Sequence, residues 1–248
     1  MKRTEREHLK HRPLVEAVVA TQAWVITNQK ALVTGIGVAA LLAVIVAGYM
    51  TWASRAENEA RAMLAAALVV DESRVMPPGP PAGTTTDPTD FGGQAAGTYP
   101  TQKDKLDASL PKFLAAADAF PGTQSGYTAR YHAATNLVSL GRFDEAVTQY
   151  DQVIAGSAGM LSRMARLGKA EAQLRAAQYD PAIATFKEMA EQTDGPLPAD
   201  AMLMELARAY KVAGKTEDAR KTLDQIVEQH ADSPFAAEAR AELDKMKG

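Results

Sequence analysis

The chain has 248 residues, with 27 Lys and Arg against 30 Asp and Glu, no cysteine, and only 6% aromatic side chains within a 46% hydrophobic fraction. Without cysteine there is no disulfide framework, thiol nucleophile, Cys-ligated zinc or lipoprotein acyl anchor. Charge is uneven: the first thirty residues carry six Lys/Arg and three Glu, leaving 21 basic and 27 acidic side chains after residue 54, a balance of −6 that argues against a nucleic-acid partner.

Residues 1–30 read as a basic cytoplasmic tail. Leu14, Val15, Val18, Val19, Val25 and Ile26 form an apolar helical face beside Lys10, Arg12 and Lys30. That pattern fits either a helix lying on the inner leaflet or an early start of the membrane helix. His8 and His11 stand at i, i+3 with no nearby cysteine, a spacing too sparse to make a metal site.

Ala31 to Ser54 is free of charge and of proline. Its 24 residues would span roughly 36 Å as a helix, enough for a hydrocarbon core of about 30 Å. Tyr49 and Trp52 lie at its far end, where aromatic rings favour the membrane–water boundary. The stretch is too long, and its preceding tail too extended, for a cleaved signal peptide. An uncleaved signal anchor at residues 31–54 is expected, holding the chain in an inner (plasma) membrane. Flanking charges tie, with Arg12 and Lys30 before the span and Arg55 and Arg61 after it. The more basic tail and the long C-terminal body favour a cytoplasmic N-terminus and a periplasmic body. Gly35, Ala39, Ala43 and Ala47 recur every four residues, a stripe of small side chains suited to close packing of a second membrane helix.

Residues 55–75 read as a helix continuing from the membrane, with Ala60, Met63, Leu64, Ala67 and Leu68 on one face. In residues 76–101, Pro, Gly and Thr fill 17 of 26 positions, too little apolar surface to order a core. A flexible coil with ends about 25–30 Å apart is expected there.

Residues 102–248 are repetitive. Ala133-Ala134-x2-Leu137…Gly141…Ala146-x3-Tyr150 is echoed by Leu167…Ala170…Leu174…Ala177…Ala182-x3-Phe186 and by Leu206-Ala207-x2-Tyr210…Gly214…Ala219-x3-Leu223. A half-copy, Ser109-x3-Phe113, precedes them. The anchors Ser109, Ala146, Ala182 and Ala219 lie 37, 36 and 37 residues apart. Small residues at 134, 170 and 207 let the first helix of each unit touch the second, while Tyr150, Phe186 and Leu223 fill the space between units. Asp144, Asp180 and Thr216 sit where N-caps belong, with Pro181 at a first helical position. Lys169 and Gln173 replace apolar residues, which predicts a shifted or kinked helix in the second copy. After Ser233-Pro234, the stripe Phe235, Ala239, Leu243 and Met246 predicts a terminal capping helix.

Motifs for chemistry are missing. No G-x-S-x-G, G-x-x-x-x-G-K-[ST], H-E-x-x-H or G-x-G-x-x-G occurs, and Ser125 between Gly122 and Gly126 reads as a helix N-cap. Neither catalysis nor a metal or other cofactor is expected, and binding remains.

The repeat pattern resembles the tetratricopeptide repeat, an αα-hairpin of about 34 residues. The resemblance implies an all-α fold: a single transmembrane helix, then an αα-hairpin solenoid closed by a C-terminal capping helix. It also implies a concave groove lined by the first helices. On the aligned positions that groove presents Tyr131, Thr135, Leu167, Glu171, Arg175, Met204, Arg208 and Lys211. Family members that clamp a C-terminal carboxylate use Lys and Asn where Tyr131 and Thr135 stand, which speaks against that ligand class, and the mixed apolar and charged groove is compatible with helical or extended peptide segments. The order of tail, membrane helix and repeats is similar to that of YfgM-like ancillary subunits of the bacterial Sec translocon. That resemblance implies translocon subunits or chaperones as partners. A structural assembly factor of a pilus, outer-membrane or division complex, and a cytoplasm-facing regulator, remain as alternatives.

Overall fold

The computed structural model describes residues 21–78 except 23, 25 and 26, residues 96–192, and residues 198–246. The apolar face of Leu14, Val15, Val18, Val19, Val25 and Ile26 and the His8–His11 pair lie outside these residues. Two units divide the chain, 1–55 and 56–248. The described residues contain nine helices: α1 (Gln29–Asp71), α2 (Gln102–Ala119), α3 (Gln124–Ser139), α4 (Phe143–Gly156), α5 (Gly159–Arg175), α6 (Tyr179–Glu191), α7 (Ala199–Val212), α8 (Thr216–Gln229) and α9 (Pro234–Lys245). They form the expected all-α architecture of hairpins and a terminal cap.

In the first unit, every described side chain from 29 to 52 is exposed, including Ile36, Leu41, Val44, Ile45 and Trp52. By length and composition this helix can cross a membrane. Gly35, Ala39, Ala43 and Ala47 of the small-residue stripe are all exposed.

The second unit begins within α1. Ala60, Leu64 and Ala67 are buried, and Leu64 and Ala67 join a first core with Leu110 and Phe113 of α2 and Ala133, Ala134 and Leu137 of α3. Residues 56–71 thus supply the first helix of the half-copy. The anchors Ser109, Ala146, Ala182 and Ala219 are all fully buried. Side chains this small let paired helices approach until backbone and Cβ atoms fill the space between them.

A polar knot ties α1, α2 and α3 together. Ser109 Oγ and Asn136 Nδ2 each donate to Asp71 Oδ1 at 2.9 Å, and Asn136 Nδ2 also reaches Ser109 Oγ at 2.8 Å. Nearby, the imidazole of His132 stacks on Phe113 with centroids 5.2 Å apart.

Two short strands, β1 (Arg74–Val75) and β2 (Thr98–Tyr99), pair in parallel. They correct one expectation: the ends of the Pro/Gly/Thr-rich segment are not 25–30 Å apart but ladder-bonded, because Met76 N also donates to Tyr99 O at 2.9 Å.

The hairpin turns end their first helices alike. Arg142 N bonds Leu137 O at 2.8 Å, Gln178 N bonds Gln173 O at 2.8 Å, and Lys215 N bonds Tyr210 O at 2.9 Å. This six-to-one bond needs a left-handed residue just past the helix. Gly141 and Gly214 supply it at φ 76° and 73°, and Ala177 supplies it at 59°. The strain of a left-handed alanine exceeds the entropy glycine loses on folding, so Ala177→Gly should raise stability by about 0.5–1 kcal/mol. Thermal unfolding checks this; Ala177→Val should move the midpoint the other way.

The N-caps correct the sequence reading: they are Arg142, Gln178 and Lys215, two residues before Asp144 and Asp180 and one before Thr216. The second helices start at Phe143, Tyr179 and Thr216, so Asp144 and Asp180 sit in the first turn, and Pro181 is its third residue. Carboxylates there still favour the positive end of the helix dipole. At α3 the cap is Thr123, whose Oγ1 accepts from Gly126 N. Ser125 is instead buried and donates to Glu57 Oε1 at 2.6 Å.

The second copy's first helix, α5, runs unbroken rather than shifted. Lys169 reaches out to Asp151 at 2.6 Å. Gln173, aligned with Leu137 and Tyr210, is 6% exposed and its Oε1 has no hydrogen-bond partner. A buried carbonyl without a donor costs about 1–3 kcal/mol, so Gln173→Leu should raise the unfolding free energy by about that amount. A denaturation midpoint at or below that of the parent chain would refute this.

Candidate functional groove

The first helices of successive hairpins, α3, α5 and α7, follow one another along the stack, with α3 touching α5 and α7 touching α9. Between α3 and α5, with α4 behind, lies a cavity of about 270 Å³ lined by Tyr131, Thr135, Val138, Ser139, Tyr150, Met164, Leu167, Gly168, Glu171 and Arg175. Five of the eight residues expected in the groove are thereby brought together. Met204 is the correction: it is 1% exposed and belongs to a second core shared with Ala239 and Leu243 of α9, so the capping helix covers it. Arg208 and Lys211 stay at the surface but are engaged within the chain. Arg208 pairs with Glu238 at 2.8 Å and Glu205 at 2.6 Å, and Lys211 pairs with Glu242.

The wall of the cavity is aromatic. Tyr131 and Tyr150 meet edge to face with centroids 5.7 Å apart, and Thr135 Oγ1 lies 3.3 Å from the Tyr150 hydroxyl. Burial pushes the Tyr150 phenol up to about 12 and raises Tyr131 as well. Both rings therefore stay neutral hydrogen-bonding surfaces at any physiological pH. Glu171 is also raised, first by burial and then by the neighbouring Glu205 carboxylate, with Arg175 opposing. At the far end Glu242 is held down at about 2 by its bonds to Lys211 and Lys245.

Gly168 and Tyr150 were not legible as groove residues. Tyr150 reads as filler between hairpins, and the only signal for Gly168 was a glycine in mid-helix. A Cβ added at Gly168 would lie 2.5 Å from the Tyr150 ring. Gly168→Ala should therefore push the ring into the cavity and weaken groove ligands at least about 10-fold, while gaining helix propensity. Unchanged binding together with an unchanged Tyr150 environment by NMR would contradict this.

A larger cavity of about 500 Å³ opens between the second helices α6 and α8 over Leu203, Leu206 and Tyr210. Its rim alternates Lys187 and Lys221 with Glu191 and Asp218, and so presents no single sign of charge. Among the described residues, no group of three or more His, Cys, Asp or Glu side chains could hold a metal ion.

Comparisons with known proteins bear on the hairpins. Residues 131–196 match one tetratricopeptide repeat family model, and residues 200–243 match another. Among solved structures, one described as a Podosopora anserina kinesin light chain of nearly identical TPR-like repeats has a TM-score of 0.50 and 20% identity, covering 58% of this chain and 78% of that one. A second structure of the same repeats gives the same score and identity, with 79% of that chain covered. At this identity the likeness concerns the fold alone. No curated protein matches the chain. The two family models and the fold agree that the matched stretches are tetratricopeptide-type αα-hairpins.

Proposed function

We propose that this chain is a membrane-anchored interaction scaffold that holds protein segments in the groove between α3 and α5. The observation that carries the reading is the cavity where Tyr131, Thr135, Leu167, Glu171 and Arg175 converge from successive first helices. Backbone ridges, the half-buried Tyr131 ring and the buried Tyr150 ring present a shaped surface with little side-chain entropy left to lose, which favours weak but specific capture of peptide segments. The exposed apolar helix at 31–54 supports a single-pass anchor, with lipid as its solvent and the small-residue stripe as the face for a second helix. Tethering raises the effective concentration of the groove near the membrane, so modest affinities suffice. The fuller reading is an accessory subunit of an envelope complex, such as the Sec translocon and its chaperones, with the repeats periplasmic and the N-terminus cytoplasmic.

Protease added to intact spheroplasts carrying the full chain tests the topology. Digestion of the repeats without detergent is expected. Protection until detergent is added would reverse the orientation, remove the translocon reading and favour a cytoplasm-facing regulator.

A further inference from the structure

Charges along the groove sort into two regions. Between α7 and α9 the facing charges are matched, Arg208 with Glu238 and Lys211 with Glu242. Between α5 and α7, Glu205 is held by Arg208 of its own helix and Glu171 is left over. Glu171 on α5 faces the field of Glu205 on α7 and makes no hydrogen bond or ion pair among the described residues. Arg175 is one turn along the same helix yet does not close onto it. Glu171 lines the cavity together with two tyrosine rings, Met164 and Leu167. Glu205 is already paired with Arg208, so Glu171, at the exposed edge of the cavity, is the carboxylate left to meet an incoming cation. The rings and the leucine suit an aliphatic stem, and aromatic faces attract cations. At about 270 Å³ the cavity lies below the usual range for small-molecule sites, and is of a size for one long side chain.

We propose that this cavity receives a lysine or arginine side chain of the partner polypeptide, its stem against Tyr131, Tyr150 and Leu167 and its cationic head at Glu171. The proposal rests on the reading of the groove as the binding face. A partner segment of this kind carries a basic residue next to apolar ones. Arg175 marks the opposite chemistry, because a groove that selected acidic segments would depend on it.

A displayed random dodecapeptide library, selected on the full chain in lipid nanodiscs, tests the proposal. Met164→Trp, at an exposed position, plugs the cavity with neutral bulk, and circular dichroism confirms its fold. The expected result is enrichment of peptides with Lys or Arg beside an apolar residue, retained by the parent chain and lost with Met164→Trp. Glu171→Gln should weaken them by about 10-fold or more, because the amide oxygen still accepts a hydrogen bond but the opposite charge is lost. Glu171→Lys should turn the selection toward Asp and Glu, and Arg175→Gln should leave the basic preference in place. Peptides that need the cavity but lack a basic residue, or that are acidic and depend on Arg175, overturn the cation site and leave the groove reading standing. Absence of any peptide sensitive to Met164→Trp overturns both.

Discussion

Phe186→Ala is expected to cost about 3–5 kcal/mol, the range for truncating a fully buried aromatic ring. Phe186 is 0% exposed at the middle of the second core, where it shares burial with Ile183, Met204, Leu206 and Leu223. The first core, built around Phe113, Leu137 and Tyr150, does not include it. In a quasi-one-dimensional stack each hairpin leans only on its neighbours, so the loss falls on one region. Denaturant unfolding should change from one transition to two, with α6 to α9 melting first and α2 to α4 persisting. Phe113→Ala should invert the order. Amide exchange resolved along the chain reads both, and a single transition at unchanged midpoint for Phe186→Ala would contradict the two-core description.

Asp71→Ala is expected to destabilise the second unit by about 2–4 kcal/mol, because it removes a charged acceptor from two donors that cannot reach water. Ser109 is 0% exposed and Asn136 is 4% exposed, and both donate to the same Asp71 oxygen. Asp71→Asn keeps an acceptor of the same shape and should recover part of the loss. The effect should appear as faster amide exchange over residues 56–71, which rely on this knot, on Glu57–Ser125 and on the packing of Leu64 and Ala67. Equal stability of parent and Asp71→Ala would show that the knot contributes nothing.

The knot also shows where sequence reasoning reached and where it stopped. Ser109 stands at an anchor position that is alanine in the three full copies, and its spacing alone places it at a helix–helix contact. A serine there brings a hydroxyl that must be satisfied, but the partners lie 38 and 27 residues away in the chain. Periodicity reports which face is buried, and not which distant polar groups converge on it. The alanine anchors were legible for the opposite reason, since close packing leaves no substitute for a small side chain at a fixed interval.

The groove was legible in part. Tyr131, Thr135, Leu167, Glu171 and Arg175 follow from the alignment because each hairpin repeats the same turn-by-turn geometry. Met204 occupies the same aligned position as Tyr131 and Leu167 yet is buried, because the last helix of a stack is a cap and covers what would otherwise be groove. Arg208 and Lys211 meet the same cap through Glu238 and Glu242. Gly168 escaped notice because its role is to be absent: the Tyr150 ring lies where a Cβ would be. The N-caps lie two residues before Asp144 and Asp180 and one before Thr216 because the left-handed turn residues at 141, 177 and 214 leave a single residue, Arg142, Gln178 or Lys215, before the next helix begins.

The central claim is that partners are held in the groove between α3 and α5. The most direct measurement is site-specific photo-crosslinking in the full membrane-bound chain, with the photoreactive residue at Thr135 or Met164 in the groove, or at Lys187 or Gln225 on the cavity between α6 and α8. Discrete protein adducts from the groove positions, abolished by Gly168→Ala and absent from the other cavity, are the expected result. Adducts that arise only from Lys187 or Gln225, or groove adducts indifferent to Gly168→Ala, would contradict the account.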